Sequence, residues 1–476
     1  MNAEQHHEIR SPLDRLEAEV VRRDLGVAGE APEADVAALR YVISLARLTT
    51  VRNVDGDDVQ VADALAPHRW RVQEALRPHL TPDGVGLGGA LRILPELMDA
   101  TRDARRMLLG SGTLEGGVLD RDSMEREVTQ KKLVVVAGGG GGCGYGYGGA
   151  YTLLHRSGLQ PELIAGTSMG ALMGLFRARL RVYDGAPMVA AGESLSWQKV
   201  FRVLDLDSRY GLPATLRLYL RAAIGHLFKN RDGSAMTLDD LGIPMLVVVT
   251  GITVDGLKHD LDWYEHFLDD AFKPGRVFKR SRIKRLGRVV GIVREMMSSP
   301  ENLREIVFGA DALTRQADVI DTVGFSSAIP GLIHYDIYRD DERMRRLLDQ
   351  LYGEQGITRL LEGGLVNNLP CRPAFEQVMA GRIGVRNHFT LALDCFAPGR
   401  KNFVFAPVMQ LVRGNVKANT PYAHHVHNLK RRLNPLNLVP PIASLERAMD
   451  WTMEELEPSI PQVQAMCRTL PVLSER

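Results

Sequence analysis

The stretch Leu163-Ile164-Ala165-Gly166-Thr167-Ser168-Met169-Gly170-Ala171-Leu172-Met173-Gly174-Leu175-Phe176 decides how this chain is read. A short apolar run leads into Gly-x-Ser-x-Gly, and a helix-forming run follows. A strand-to-helix turn this sharp lifts a serine hydroxyl out of a sheet, and glycines flank it because side chains there would strike neighbouring backbone. Ser168 is therefore the candidate nucleophile of an acyl-transfer reaction.

Composition bounds the alternatives. The chain has 476 residues, 25% charged and 45% hydrophobic, as expected for a globular protein of two or three domains. Its net charge of +1 gives no global field for nucleic acid, so no nucleic-acid partner is expected. The 4 cysteines, Cys143, Cys371, Cys395 and Cys467, form no C-x-x-C pair. They read as reduced thiols, with no metal site. The N-terminal residues show no signal-peptide pattern, and no apolar run approaches the ~20 residues of a spanning helix. The expectation is a cytoplasmic protein, at most peripheral to a membrane.

Residues 1–127 read as a helical region of unknown role. Leu13, Leu16, Val20 and Val21 recur at helical spacing, as do Val36, Leu39, Val42 and Ile43. Asp55-Gly56-Asp57 reads as a turn. The texture changes at Lys131: Leu133–Ala137 is a short apolar strand that runs into glycines 138–142, Cys143 and Gly144, and then a helix. Strand, turn, helix, strand, elbow, helix is an alternating β/α pattern. Pro244–Thr250 and His388–Asp394 supply two more strands. The catalytic domain is bounded at 128–400, with an insertion at about 255–316. Residues 401–476 read as a helical extension of mixed character. Within the insertion, Phe278–Val293 interleaves basic and apolar residues. It fits a solvated helix face or peripheral contact with an anionic membrane. His424, His425 and His427 lack the partners at useful spacing that would complete a metal site.

Ester cleavage through serine needs a nucleophile, a base and donors to the oxyanion. Glycines in the 138–149 turn let consecutive N–H groups point at one spot, beside a helix N-terminus. A dinucleotide site is disfavoured, because no acid ends the second strand and no G-K-[ST] is present. For the base, histidines 155, 226, 259, 266, 334 and 388 are available. Glu362, on the turn Glu362-Gly363-Gly364 after Leu360-Leu361, is the other candidate.

Four segments in order resemble the patatin-like phospholipase family. They are the Gly-rich loop at 139–144, Gly166–Gly170, Phe325-Ser326-Ser327-Ala328-Ile329-Pro330-Gly331, and Glu362-Gly363-Gly364-Leu365-Val366-Asn367-Asn368-Leu369-Pro370. The resemblance spans roughly residues 130–397. It implies a three-layer α/β/α sandwich with a mostly parallel sheet, and a serine–acid dyad without histidine. It also implies hydrolysis of lipid or phospholipid acyl esters with no cofactor. By position, Ser168 is the nucleophile and Glu362 the base, with Gly141, Gly142, Cys143 and Gly144 forming the oxyanion hole. The chain departs from the family pattern twice: Glu362 stands where aspartate is usual, and Cys143 where a basic residue is usual. Ser326 and Ser327 read as a structural turn. A catalytically weak lipid-binding or regulatory protein is the alternative reading.

Overall fold

The computed structural model describes residues 11–26, 31–81, 84–112, 114–194, 196–203, 209–212, 214–254, 299–337, 339–396 and 406–474. The basic stretch Phe278–Val293 lies outside them, as do His259 and His266. The chain divides into two compact units. The first comprises Met1–Leu133, Phe375–Phe389 and Pro458–Arg476, and the second Val134–Ala374 and Thr390–Glu457.

The first unit is mainly helical. Helices α1 (Pro12–Gly26), α2 (Glu33–Arg47), α3 (Ala66–Leu80), α4 (Leu87–Arg92) and α5 (Leu94–Gly110) surround an apolar core. Leu13, Leu16 and Val20 of α1 meet Val36, Leu39, Val42 and Ile43 of α2, so the helical spacing becomes one buried stripe. α6 (Arg121–Thr129) starts at Asp120, whose side chain accepts from the Ser123 N–H at 2.8 Å. A hairpin of β1 (Thr50–Arg52) and β2 (Asp58–Gln60) turns at Asp55-Gly56-Asp57, with Gly56 at φ 90. The helix Ile460–Cys467 closes this unit against α1.

One buried charge cluster ties these elements together. Glu17 of α1 is fully buried. Its carboxylate meets Arg40 at 3.1 Å, Arg47 at 3.0 Å and Lys131 at 2.7 Å. Burial alone would push the Glu17 carboxyl up, but Lys131, Arg47 and Arg40 outweigh it and hold it far below the usual range.

The remaining strands are β3 (Lys132–Ala137), β4 (Pro161–Thr167), β5 (Phe201–Val203), β6 (Ala214–Leu218), β7 (Met245–Thr253), β8 (Leu303–Phe308), β9 (Gly331–His334), β10 (Ile357–Leu361), β11 (His388–Asp394) and β12 (His425–Asn428). Seven form the central sheet, ordered β10-β7-β4-β3-β11-β12 with β8 also paired to β7. β4 and β12 run parallel to β7 and β11 respectively, while β8 and β10 run antiparallel to β7. The sheet is mainly parallel and flanked by helices. Its central strands are apolar on both faces, as a covered sheet requires: Leu133–Ala137 and Leu246–Val249 are all buried. β5, β6 and β9 form a separate three-stranded sheet.

Two intervals differ from their sequence reading. Leu303–Phe308, placed within the insertion, is a sheet strand. Arg304 and Glu305 interrupt its apolar pattern, but among the described residues β8 pairs only with β7, and an edge strand tolerates charge. The tail read as helical contributes β12, whose polar His425-Val426-His427-Asn428 hides the strand signal. No helix among the described residues is long and apolar enough to cross a membrane.

Glu17→Ala leaves three cations without their shared partner. It should cost about 3–5 kcal/mol of stability in denaturant titration at neutral pH. Because the folded carboxyl is depressed, this contribution is present above the ordinary carboxylate range and is lost as pH falls through it.

Candidate active site

β7 carries three neighbours, but a strand has only two hydrogen-bonding edges. β8 pairs with Val247–Ile252, overlapping the registers of both β4 and β10. β4 and β10 therefore share the opposite edge. β4 ends with Thr167 opposite Val248, and β10, running the other way, ends with Leu361 opposite Thr250. The next residue of each strand falls at the same level, beside Val249. Those residues are Ser168 and Glu362.

Ser168 sits between β4 and helix α7 (Met169–Ala178) with φ 53 and ψ −124, the only positive φ at a non-glycine among the described residues. Such a conformation is strained and needs support from its surroundings. Support comes from the helix Val319–Ser326, begun by Asp318, whose side chain accepts from the N–H groups of Ile320 and Asp321. Its last residue, Ser326, accepts from the Ser168 N–H at 2.8 Å and donates to the Val248 carbonyl at 2.6 Å. A Cβ at Gly170 would lie 2.1 Å from the Ala137 carbonyl oxygen, so only glycine lets the helix start this close to β3.

The Glu362 turn is fixed equally firmly. Its N–H donates to the Ala328 carbonyl at 2.9 Å, and the Thr250 hydroxyl donates to its carbonyl at 2.7 Å. A Cβ at Gly363 would lie 2.1 Å from the Val248 carbonyl oxygen. Asn415 donates to the carbonyl of Gly364 and accepts from the Asn368 N–H, bracing the turn from behind. Asn368 in turn donates to the Gly139 carbonyl, linking the acid's turn to the Gly-rich loop.

The Glu362 carboxyl faces the Ser168 side chain and the Gly364 N–H, both of which act to lower its pKa. Its Oε2 is buried without a partner among the described residues. Burial pushes the carboxyl up to about 8, against the opposing effect of those two groups. Three of the candidate histidines have other partners. His334 Nδ1 bonds the Leu212 carbonyl, His388 Nδ1 bonds the Arg386 carbonyl, and His155 packs on Tyr183.

The Gly-rich loop needs a correction at the level of individual amides. The Gly142 N–H is spent on the Pro435 carbonyl at 2.9 Å, and the Cys143 N–H on the Gly140 carbonyl at 3.2 Å. Gly144 lies inside the 3-10 turn Gly141–Gly146. Gly140 and Gly141 are half-buried and, among the described residues, their N–H groups have no backbone acceptor. Of the four expected loop residues, only Gly141 lines the pocket with Ser168. The Met169 N–H, at the start of α7, is the second free donor beside the serine. Cys143 is a buried filler: burial pushes its thiol up to about 12, and its Sγ faces the Leu433 carbonyl at 3.1 Å.

In front of Ser168 lies a pocket with about 860 Å³ of empty space, including its open mouth. Leu172, Phe176, Phe201, Leu218 and Ile333 are among its walls, and among the described residues no charged residue or histidine lines it. Neither this pocket nor the bracing role of Ser326 could be read from the sequence, because both depend on elements far apart in the chain. Among the described residues no cluster suited to a metal is present.

A strained elbow serine and a carboxyl group thus meet where two strand ends converge in an α/β sandwich. The patatin-like phospholipase family model matches residues 134–375, and the chain belongs to that family. Over 144 residues, 30% of its length, the chain is 26% identical to mouse patatin-like phospholipase domain-containing protein 7. That match covers 10% of the mouse protein.

Ser326→Ala would strand the buried Ser168 N–H. It should cost about 1–3 kcal/mol, read as a lower denaturation midpoint at unchanged slope.

Proposed function

We propose that this chain is a serine acyl hydrolase that cleaves fatty-acyl esters of phospholipids or related lipids through a Ser168–Glu362 dyad. What carries this reading is the buried Glu362 carboxyl set against the side chain of Ser168, which opens on a pocket whose described walls are apolar and uncharged. Family membership supports lipid acyl hydrolysis as the general chemistry. In the first step the Glu362 carboxylate accepts the Oγ proton as Oγ attacks the ester carbonyl. The N–H groups of Gly141 and Met169 receive the oxyanion, each donor worth about 2.7–4 kcal/mol in the transition state. Collapse expels the alcohol, which takes the proton from Glu362. Water, deprotonated by Glu362, then attacks the acyl carbonyl; the bond to Oγ breaks, Oγ takes the proton back from Glu362, and the fatty acid leaves. With no charge in its walls, the pocket selects on the acyl chain and leaves a polar head group outside.

A second reading, a weakly catalytic lipid-binding protein, is favoured by one observation. A carboxyl pushed up to about 8 is mostly protonated at neutral pH and is then a poor proton acceptor. Two variants separate the readings. Ser168→Ala should reduce hydrolysis of a phospholipid and short-ester panel to the buffer rate. Glu362→Asp shortens the arm by one bond, and should lower kcat by roughly 10²-fold. A gain in the aspartate variant would instead identify a lapsed enzyme.

The pH profile is equally specific. Since the base must be ionised, kcat/KM should climb about tenfold per pH unit and level off above about 8. Stability should move oppositely. The raised folded pKa favours the protonated form, so Glu362 contributes less stability as pH rises from the ordinary carboxylate range to about 8. At pH 9, Glu362→Gln should melt at a higher temperature than the parent, while being inactive.

A further inference from the structure

The family match ends at residue 375, but the pocket wall does not. Residues 433–445 form a strap across the Gly-rich loop. The strap's Pro435 carbonyl takes the Gly142 N–H at 2.9 Å, and its Leu438 carbonyl takes the Tyr145 hydroxyl at 2.6 Å. The loop is glycine where the strap crosses it. A Cβ at Gly141 would lie 2.4 Å from the Pro435 carbonyl oxygen, and one at Gly142 2.4 Å from that of Asn434. Gly141 also adopts φ 53, which side-chain-bearing residues avoid.

The strap also reaches the substrate side. Leu438 Cδ2 lies 3.4 Å from the Cβ position of Gly141, and Leu438 lines the pocket with Ser168. Leu445, on the helix Ile442–Leu456, lines it further along, with Cδ1 3.1 Å from the Cβ position of Gly192. The same segment thus braces the loop beside the nucleophile and closes one side of the pocket.

We propose that Leu438 and Leu445 set the length and bulk of the acyl chain this protein accepts. They are specificity-determining residues supplied by a segment beyond the family-matched region. The inference rests on the hydrolase reading above. Each additional methylene buried is worth about a fourfold gain in binding, so opening room for one to two shifts preference by about tenfold.

The test uses the full chain and 4-nitrophenyl esters from C4 to C16. Leu438→Ala should raise the C12-to-C4 ratio of kcat/KM about tenfold. Leu438→Trp and Leu445→Trp should each lower it by a similar factor. Ratios within twofold of the parent in all three variants overturn the proposal. A second measurement does not need catalysis: binding of 11-(dansylamino)undecanoic acid to the Ser168→Ala protein, followed by fluorescence. Adding Leu438→Trp should weaken its Kd about tenfold, and an unchanged Kd overturns the proposal. The two readings fail separately. A parent that cleaves no ester, with dansyl-acid binding that still responds to Leu438→Trp, refutes the hydrolase and supports the pocket wall. Robust cleavage with fixed chain preference does the reverse.

Discussion

A strand offers two edges, and β7 must serve three partners on them. β8 takes one edge along its length, so β4 and β10 divide the other and run into one another end to end. Everything at the site follows from that collision. Two chain ends pointing at each other cannot both continue straight, so each turns sharply out of the sheet. One turn is the elbow at Ser168, and the other is the glycine turn at Glu362. The carbonyls of Val248 and Glu362 at the junction lose ladder partners, and the Ser326 and Thr250 hydroxyls supply them. The polar groups that brace the dyad are thus the ones that repair a broken edge.

The run of glycines from 138 to 149 has a different explanation from the one its composition invites. Few of its amides are free to hold an anion. The run is glycine because other atoms lie against it: the carbonyls of Pro435, Asn434 and Met449 at Gly141, Gly142 and Gly149, and side chains such as Cys395, Met169 and Met188 at Gly140, Gly144 and Gly148. A Gly-rich loop beside Ser168 is a packing surface first; among the described residues the N–H groups of its half-buried members Gly140 and Gly141 have no backbone acceptor, and Gly141 lines the pocket. Cys143 belongs to the packed part, small and buried beneath Leu433.

These distinctions mark what the sequence could convey. The elbow was legible because its whole signal is local: a buried strand, two glycines around a serine, and a helix within fifteen residues. The central strands were legible for the same reason, being continuous apolar runs. β8 and β12 were not, because edge strands may carry arginine, glutamate and histidine, which also mark surface loops. Glu362 stood out through its glycine turn and the family resemblance, but its place beside Ser168 is a product of strand register. Which loop amides are free depends on a carbonyl at 435, which no local pattern announces. Pocket walls at 438 and 445 sit in a proline- and asparagine-rich stretch that reads as a tail.

The end-to-end junction also has a consequence in time. Its two halves are far apart along the chain, so a ribosome delivers them separately. Glu362 emerges roughly 200 residues after Ser168, an interval of about 10–40 s at ordinary elongation rates. The strap follows later still. During that interval the elbow lacks its acid, the edge of β7 beyond β4 is open, and the pocket lacks a wall. A nascent chain therefore presents the Ser168 elbow well before the Glu362 turn that faces it exists. The register that sets Ser168 and Glu362 side by side is thus completed only after both segments have left the ribosome.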